Sequence, residues 1–225
     1  MTGENPCELR GIEFIVFASP EPDKLHRLLL AFGFSRTMRH TSRPIDLYQQ
    51  GEMRMLIDRS PGGASAGFTA LHGPCISAMG WSVADATRAA AAAMSRGAHL
   101  GDGDLRHHDG SLVPAVRGIG DSLIYFLDAG DTWLSLGFVP LDRPDLVPDK
   151  GFVCIDHLTN NVPRGELHKW SAFYRDVFGF TEVRYFDIRG VKTGLQSYAL
   201  RSPCGTFCIP INEGTESSKS QIDEY

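Results

Sequence analysis

The sequence Ile155-Asp-His-Leu begins a stretch that ends in Val177-Phe-Gly-Phe180. A similar stretch begins with Ile12-Glu-Phe-Ile and ends with Ala31-Phe-Gly-Phe34, and in both a proline-containing turn follows the first apolar segment. Self-similarity of this kind is typical of a repeated structural unit.

Each stretch contains a helix pattern, in which apolar residues recur at the spacing of one helix face. The first stripe is Leu25, Leu28, Leu29 and Phe32, and the second is Leu167, Trp170, Phe173, Tyr174 and Val177. The glycine of each Phe-Gly-Phe predicts a C-terminal cap. Three strand patterns separated by Gly or Pro follow each helix, so the predicted unit is strand, helix and three strands.

A third copy lies between these two. Its predicted elements are a strand at Ile76–Val83, a helix at Ala84–Arg96, strands at Val113–Arg117 and Leu123–Asp128, and a candidate strand at Thr132–Phe138. Residues 101–110 form a polar loop pattern, and Pro140–Lys150 is predicted to be a linker. The predicted fold class is therefore α+β, built from repeated βαβββ modules. Two modules form an N-terminal domain at residues 1–148, and one of two expected modules forms a C-terminal domain at residues 149–225.

The composition fits a globular protein and argues against several functions. The 225 residues are 42% hydrophobic and 22% charged, with a formal net charge of −5 and no long basic run, so neither nucleic acid nor an anionic membrane is an expected partner. We find no apolar N-terminal leader and no run long enough to span a bilayer, which predicts a cytoplasmic location. Five cysteines at irregular spacing do not indicate a disulfide framework. Cys204 and Cys208 are either half of a metal or redox pair or, as the sequence favours, two small residues flanking a hairpin turn.

His157 is the main candidate for chemistry. An imidazole inside an apolar strand pattern is either a structural histidine with a partner or a metal ligand, and the residues alone leave both open. Strand alternation predicts that Asp156 points to the opposite face, where it is a surface group or a support for the ligand. The repeat aligns Phe14 with His157, which predicts a core aromatic in a silent N-terminal half.

The other histidines and motifs give weaker signals. His107, His108 and Asp109 lie in the polar loop pattern, which predicts a solvated loop, and His26 and His168 are predicted to face solvent on their helices. The chain has no glycine-rich phosphate loop after a strand and no Gly-x-Ser-x-Gly motif, which disfavours nucleotide-dependent enzymes and serine hydrolases.

The C-terminal third resembles the 4-hydroxyphenylpyruvate dioxygenase family of the vicinal oxygen chelate superfamily. The resemblance rests on Ile155-Asp-His-Leu-Thr-Asn-Asn-Val, Phe173-Tyr, Arg184-Tyr-Phe-Asp-Ile188, Thr193-Gly-Leu-Gln-Ser197, Ile209-Pro-Ile-Asn-Glu213 and Ser220-Gln-Ile222. It extends more weakly into the N-terminal half, through Gly11-Ile-Glu-Phe, His72-Gly-Pro and Val116-Arg-Gly-Ile-Gly120.

This resemblance implies an enzyme that holds one Fe(II) with two His and one Glu and converts an aryl pyruvate and dioxygen to homogentisate and carbon dioxide. The first His of the family matches His157, and the substrate pocket residues match Ser197, Asn212 and Gln221, with Pro210 shaping the wall. The other two ligands belong to a fourth module that this sequence lacks. The chain is therefore expected to be a truncated dioxygenase that is inactive alone.

Two alternatives remain. The related 4-hydroxymandelate synthases use the same substrate and metal but hydroxylate the benzylic carbon, and they are similar in sequence. A non-catalytic interaction module is the other alternative, because the unpaired third module would expose an apolar sheet face. Two chains could then pair as a homo-oligomer.

Overall fold

The computed structural model describes residues 4–189 and 194–215, which form two β-sheets with helices packed on them. The elements of the first unit are β1 (Leu9–Ala18), α1 (Pro22–Ala31), β2 (Ser35–His40), β3 (Ile45–Gln50), β4 (Met53–Asp58), α2 (Ala64–His72), β5 (Cys75–Val83), α3 (Ala86–Ser95), β6 (Ala115–Arg117), a short 3₁₀ helix (Ile119–Asp121), β7 (Leu123–Asp128) and β8 (Phe138–Asp145). The second unit comprises β9 (Asn160–Val162), α4 (Leu167–Phe178), β10 (Thr181–Arg189), β11 (Gly194–Arg201) and β12 (Cys208–Gly214).

The first sheet has eight strands in the order β6-β7-β5-β1-β4-β3-β2-β8. Strand β1 pairs in parallel with β4 of its own module and antiparallel with β5 of the next module. Two βαβββ modules are thus joined along their first strands, and this confirms the predicted fold class. Helix α2, which the sequence analysis did not predict, connects the two modules.

The second sheet has four strands in the order β10-β11-β12-β9, and α4 packs on it. The apolar strand predicted around His157 does not form: residues 151–156 are irregular, His157 makes an isolated bridge, and β9 begins only at Asn160. The register explains this difference. The neighbouring strand β12 begins at Cys208, which bridges to His157, so residues before Asp156 have no strand beside them to pair with. The domain boundary between residues 148 and 149 stays a prediction.

The linker predicted at Pro140–Lys150 is wrong in its first half, because Phe138–Asp145 forms β8. Strand β8 is the last strand of the sheet, and within residues 4–189 and 194–215 its strand partner is β2. An edge strand tolerates proline, since one side of its backbone has no ladder to donate to, and this explains Pro140 and Pro144. The candidate strand at Thr132–Phe138 is also wrong, since residues 133–137 form turns.

The two predicted helix stripes have different outcomes. On α4 the stripe is confirmed: Leu167, Tyr174 and Val177 are buried, and the two other members pack against the same core. On α1 only Leu29 is buried, while Leu28 and Phe32 are half-exposed, because the core beneath this helix is small. The predicted caps are confirmed by the positive φ angles of Gly33 and Gly179.

A shared aromatic core holds the two sheets together. Trp81 of β5 is fully buried and contacts Phe178, Phe180 and Phe207 of the second unit, with ring centroids 4.9, 5.9 and 5.9 Å away. This contact fixes the position of the second sheet against the first.

Candidate functional site

Three of the predicted site residues share one face of the second sheet. Ser197 lies directly opposite Asn212 in the β11–β12 register, and Pro210 lies two residues before Asn212. Directly opposed residues and residues two apart along a strand point to the same side. The alternating residues Ile209 and Ile211 are fully buried in the core beneath α4, so the site residues occupy the opposite face.

His157 lies at one end of this face. It bridges to Cys208, which is two residues before Pro210 and therefore on the same side of β12. The imidazole is exposed, with 55% of its side-chain surface accessible, so it is not the histidine inside a buried strand that the apolar pattern predicted. The structure thus brings His157, Ser197, Pro210 and Asn212 to one face, whereas Gln221 lies outside the described residues.

Asp156 corrects a second expectation. It was predicted to point away from His157, but its carboxylate oxygen Oδ1 lies 2.8 Å from Nδ1 of the ring. The alternation rule fails here because the residues are not in a regular strand. Since a carboxylate can only accept, Nδ1–H donates the hydrogen bond and Nε2 of a neutral ring keeps its lone pair. This is the arrangement that orients metal-binding histidines in proteins.

The polar groups of the face are linked to their neighbours. The Asn212 amide Nδ2 donates to Oδ1 of Asn161 on β9, at 3.3 Å. Ser197 is buried, with 6% of its surface exposed. Glu213, to which the sequence analysis gave no role, accepts a hydrogen bond from the Leu167 backbone N–H at 2.8 Å and so ties β12 to the start of α4. A carboxylate there also offsets the positive end of the helix dipole.

Arg184, which has no predicted role in the motif Arg184-Tyr-Phe-Asp-Ile188, lies on the same face. Phe186 pairs opposite Ser197 and Arg184 opposite Ala199, so both side chains share the face. The Arg184 guanidinium lies 5.5 Å from the centre of the Phe186 ring. The face therefore carries exposed cations near its uncharged polar groups, since Arg201, opposite Cys208, lies on it as well.

A complete metal site is not found within residues 4–189 and 194–215, where no group of three or more His, Cys, Asp or Glu side chains is placed to hold an ion. His157 supplies one donor nitrogen with a supporting carboxylate, which fits a single ligand of an Fe(II) site. The described residues do not supply the other two ligands.

The corresponding place in the N-terminal half is filled by Phe14. The ring is fully buried between Tyr125 and Trp133, with centroids 6.2 and 5.9 Å away. Phe14 pairs opposite Gly80 of β5, and the ring covers the space that a side chain at Gly80 would need. The prediction of a core aromatic at this position is confirmed, whereas the silent role of the N-terminal half stays a prediction.

The remaining histidines and cysteines have mixed outcomes. His26 was predicted to face solvent, but its Nδ1 lies 2.8 Å from the hydroxyl of the buried Tyr48. His168 is exposed as predicted. The loop carrying His107 and His108 is confirmed, and His107 Nδ1 lies 3.6 Å from Oδ1 of Asp131. Cys204 lies in the turn between β11 and β12, and Cys208 begins β12; both are free thiols.

Two family models match the chain. The model described as hydroxyphenylpyruvate dioxygenase, HPPD, N-terminal, matches residues 3–136. The chain belongs to the 4-hydroxyphenylpyruvate dioxygenase family. A second model, of the glyoxalase, bleomycin resistance protein and dioxygenase superfamily, matches residues 154–223.

Similar proteins support this membership. This chain is 49% identical over 225 residues to Protein MelA of Shewanella colwelliana, and the match covers 99% of this chain and 64% of that protein. It is 38% identical to a 4-hydroxyphenylpyruvate dioxygenase of Legionella pneumophila, covering 100% of this chain and 64% of that enzyme. The chain thus spans about 64% of the length of these relatives.

Two solved structures resemble the fold. A fusion protein of a xylose isomerase-like TIM barrel and a 4-hydroxyphenylpyruvate dioxygenase matches with a TM-score of 0.75 and 28% identity, covering 92% of this chain and 32% of that one. A variant of 4-hydroxymandelate synthase from Streptomyces coelicolor matches with the same TM-score of 0.75 at 17% identity, covering 96% of this chain and 66% of that one, which shows the shared fold. None of the described helices is long and apolar enough to cross a membrane.

Proposed function

We propose that this chain carries part of the active site of an Fe(II)-dependent dioxygenase that converts 4-hydroxyphenylpyruvate and dioxygen to homogentisate and carbon dioxide. The observation that carries the proposal is the single sheet face shared by His157, Ser197, Pro210 and Asn212. Relatives that are 37–38% identical and are named 4-hydroxyphenylpyruvate dioxygenases support this choice of reaction. A small-molecule substrate and a cytoplasmic location belong to the same proposal.

Each side chain has a distinct role in this proposal. His157 holds iron through Nε2, while Asp156 fixes the ring by accepting the hydrogen of Nδ1. When bound, Fe(II) would supply the activation of dioxygen beside a coordinated 2-oxo acid. Ser197 and Asn212 orient the polar ends of the substrate by hydrogen bonds without adding a charge, and Pro210 forms an apolar wall. Gln221, outside the described residues, is proposed as a further substrate contact.

The iron site needs two further ligands that the described residues do not supply. One imidazole does not define an iron geometry with three open positions. We therefore expect the 225-residue chain by itself to be inactive towards 4-hydroxyphenylpyruvate.

Ring hydroxylation is preferred over benzylic hydroxylation. The relatives named as dioxygenases are more than 35% identical to this chain, whereas the structure named as a mandelate synthase is 17% identical. The two reactions start from the same substrate and differ in product, so product analysis separates them.

A chimera tests the proposal. The 225 residues replace the matching segment of the Legionella pneumophila relative, and the protein is supplied with Fe(II), oxygen and 4-hydroxyphenylpyruvate. We expect homogentisate from this chimera, loss of product with His157→Ala, and retained product with the matched control His108→Ala in the solvated loop. Formation of 4-hydroxymandelate, or homogentisate from the His157→Ala chimera, would contradict the proposal.

A further inference from the structure

A cavity lies beside the face that carries His157. A cavity of about 260 Å³ opens between α2 and β5 of the first unit and the segment Leu158–Asn161 of the second. The 3₁₀ helix at Ile119–Asp121 forms part of its wall. His157, Ser197, Pro210 and Asn212 do not line it, so it is separate from the proposed dioxygenase site.

The walls of the cavity are mainly apolar. Phe68, Met79, Ile119 and Leu158 line it, and the last three also belong to the core shared by the two units. A cavity of roughly 150 Å³ lined by such residues is enough to hold benzene. The larger volume here suits one aromatic ring with a short substituent.

Several uncharged polar groups line the cavity. The His72 ring lies against Phe68 with centroids 4.3 Å apart, and Asn160 and Asn161 also line the cavity. Among the described residues that line the cavity there is no Lys, Arg, Asp or Glu. A charged ligand would lose its hydration without gaining a counter-charge, whereas a hydroxyl or amide needs only one hydrogen-bond partner.

Helix α2 supports ligand binding at this place. It is apolar but contains no buried residue, and Ile76 beside it is 38% exposed. A ligand in the cavity would cover Phe68 and Ile76, which otherwise leave apolar surface open to water.

We propose that this cavity binds a small neutral aromatic molecule that carries one hydrogen-bonding group, with the ring against Phe68 and Met79 and the polar group at His72. The site also adjoins the sheet face that carries His157, because Asn161 lines the cavity and accepts a hydrogen bond from Asn212. The proposal does not depend on the dioxygenase function.

Calorimetric titration of the 225-residue chain with 4-cresol tests this inference, and 4-methylbenzoate is the charged comparison. We expect one site for 4-cresol with a dissociation constant on the order of 0.1–1 mM, and no saturable binding of 4-methylbenzoate. The variant Ile76→Trp, which fills the mouth of the cavity, should abolish binding of 4-cresol. The variant His72→Phe keeps a ring at this position but removes the polar partner and should weaken binding about 5-fold.

Matched controls are His108→Phe in the solvated loop and Leu134→Trp on the exposed surface, neither of which lines the cavity. Both should leave the affinity for 4-cresol unchanged. Circular dichroism of each variant establishes that it is folded. Three results would overturn the inference: no binding of 4-cresol up to its solubility, equal binding of 4-methylbenzoate, or affinity that is unchanged in both cavity variants.

Discussion

Phe14 and His157 occupy corresponding places in the repeat but have opposite environments. Phe14 is fully buried opposite Gly80, and His157 is exposed beside Cys208. A large ring facing a residue without a side chain leaves no room for a metal ligand at this position. The packing around Gly80 thus places a core aromatic where the other half of the repeat has His157.

Replacing Gly80 with alanine should destabilise the protein through this contact. A Cβ built at Gly80 lies 2.5 Å from Cε1 of Phe14, in a buried strand where neither backbone can move away easily. Over-packing of this kind costs about 1–3 kcal/mol of unfolding free energy, measurable by urea denaturation. The double variant Phe14→Leu with Gly80→Ala should recover part of that loss.

Gly67→Ala on α2, where no atom lies within 4 Å of the new Cβ, is the control and should not destabilise the protein. Equal effects at the two glycines would refute the packing argument.

Tyr48 should make stability depend on alkaline pH. Burial, followed by the nearby Asp46 charge, raises the pKa of this phenol to about 12 from an ordinary value of 10. The folded state therefore holds the proton more tightly than the unfolded state. This contribution is fully present below pH 10 and is lost as the pH rises towards 12, by about 2–3 kcal/mol in all.

The test compares unfolding free energies of wild type and Tyr48→Phe at pH 9 and pH 11.5. The variant loses the hydrogen bond to His26 at both pH values, but its decline between them should be smaller. Tyr185→Phe, at an exposed position, should decline as wild type does. A decline that is the same in wild type and Tyr48→Phe would show that Tyr48 does not carry this dependence.

The family resemblance pointed to His157, Ser197, Pro210 and Asn212, and the structure places these four residues on one face. Sequence reasoning did not predict the exposure of His157, the hydrogen bond from Asp156 or the partner of His26. These features depend on where a neighbouring strand begins and on contacts between residues distant in sequence. Neither is encoded in local periodicity.

At the scale of the elements, the predicted strands at Ile76–Val83 and Leu123–Asp128 and the two Gly-capped helices were placed well. The errors lie at β8 and β9, where pairing decides the structure. Pro140 and Pro144 suggested a linker, yet an edge position accommodates them. The apolar run before His157 suggested a strand, yet β12 does not extend beside it. Local sequence does not report which neighbour a strand will have.

The cap that ends α4 gives a prediction at this scale. Gly179 has a φ of 78°, and a Cβ there would collide with the Glu4 backbone oxygen. Gly165 has a similar φ of 85° but no atom within 4 Å of its Cβ position. Gly165→Ala should therefore cost about 1 kcal/mol for the left-handed backbone alone. Gly179→Ala should lower the free energy of unfolding by that amount and by the further cost of displacing the N-terminal segment at Glu4.

Urea denaturation of the two alanine variants measures the difference, which we expect to be at least about 1 kcal/mol. The two variants share the same substitution and the same backbone region, so each controls for the conformational cost in the other. A larger loss at Gly165 than at Gly179 would contradict the role assigned to the Glu4 contact.

At the scale of the whole molecule, Trp81 couples the two sheets. Replacing Trp81 with alanine should lower the free energy of unfolding by about 3–5 kcal/mol, since the ring is fully buried among aromatic residues of both units.

Fluorine NMR of protein labelled with 5-fluorotryptophan measures this effect, because it reports on Trp133 in the first unit and on Trp170 of α4. In wild type both signals should change at one urea concentration, and in Trp81→Ala both should change at a lower one. Leu134→Ala at an exposed site is the control. Loss of the Trp170 signal alone would show that the units unfold separately.

The proposed function depends on His157 being the iron ligand of this chain. The most direct measurement is an anaerobic Fe(II) titration of the 225-residue chain, followed by NMR of its eight imidazoles. We expect the His157 signals to broaden at lower Fe(II) concentrations than those of His107 and His108, and this early binding step to disappear in His157→Ala. Broadening that begins at another histidine, or an unchanged early binding step in His157→Ala, would contradict the account.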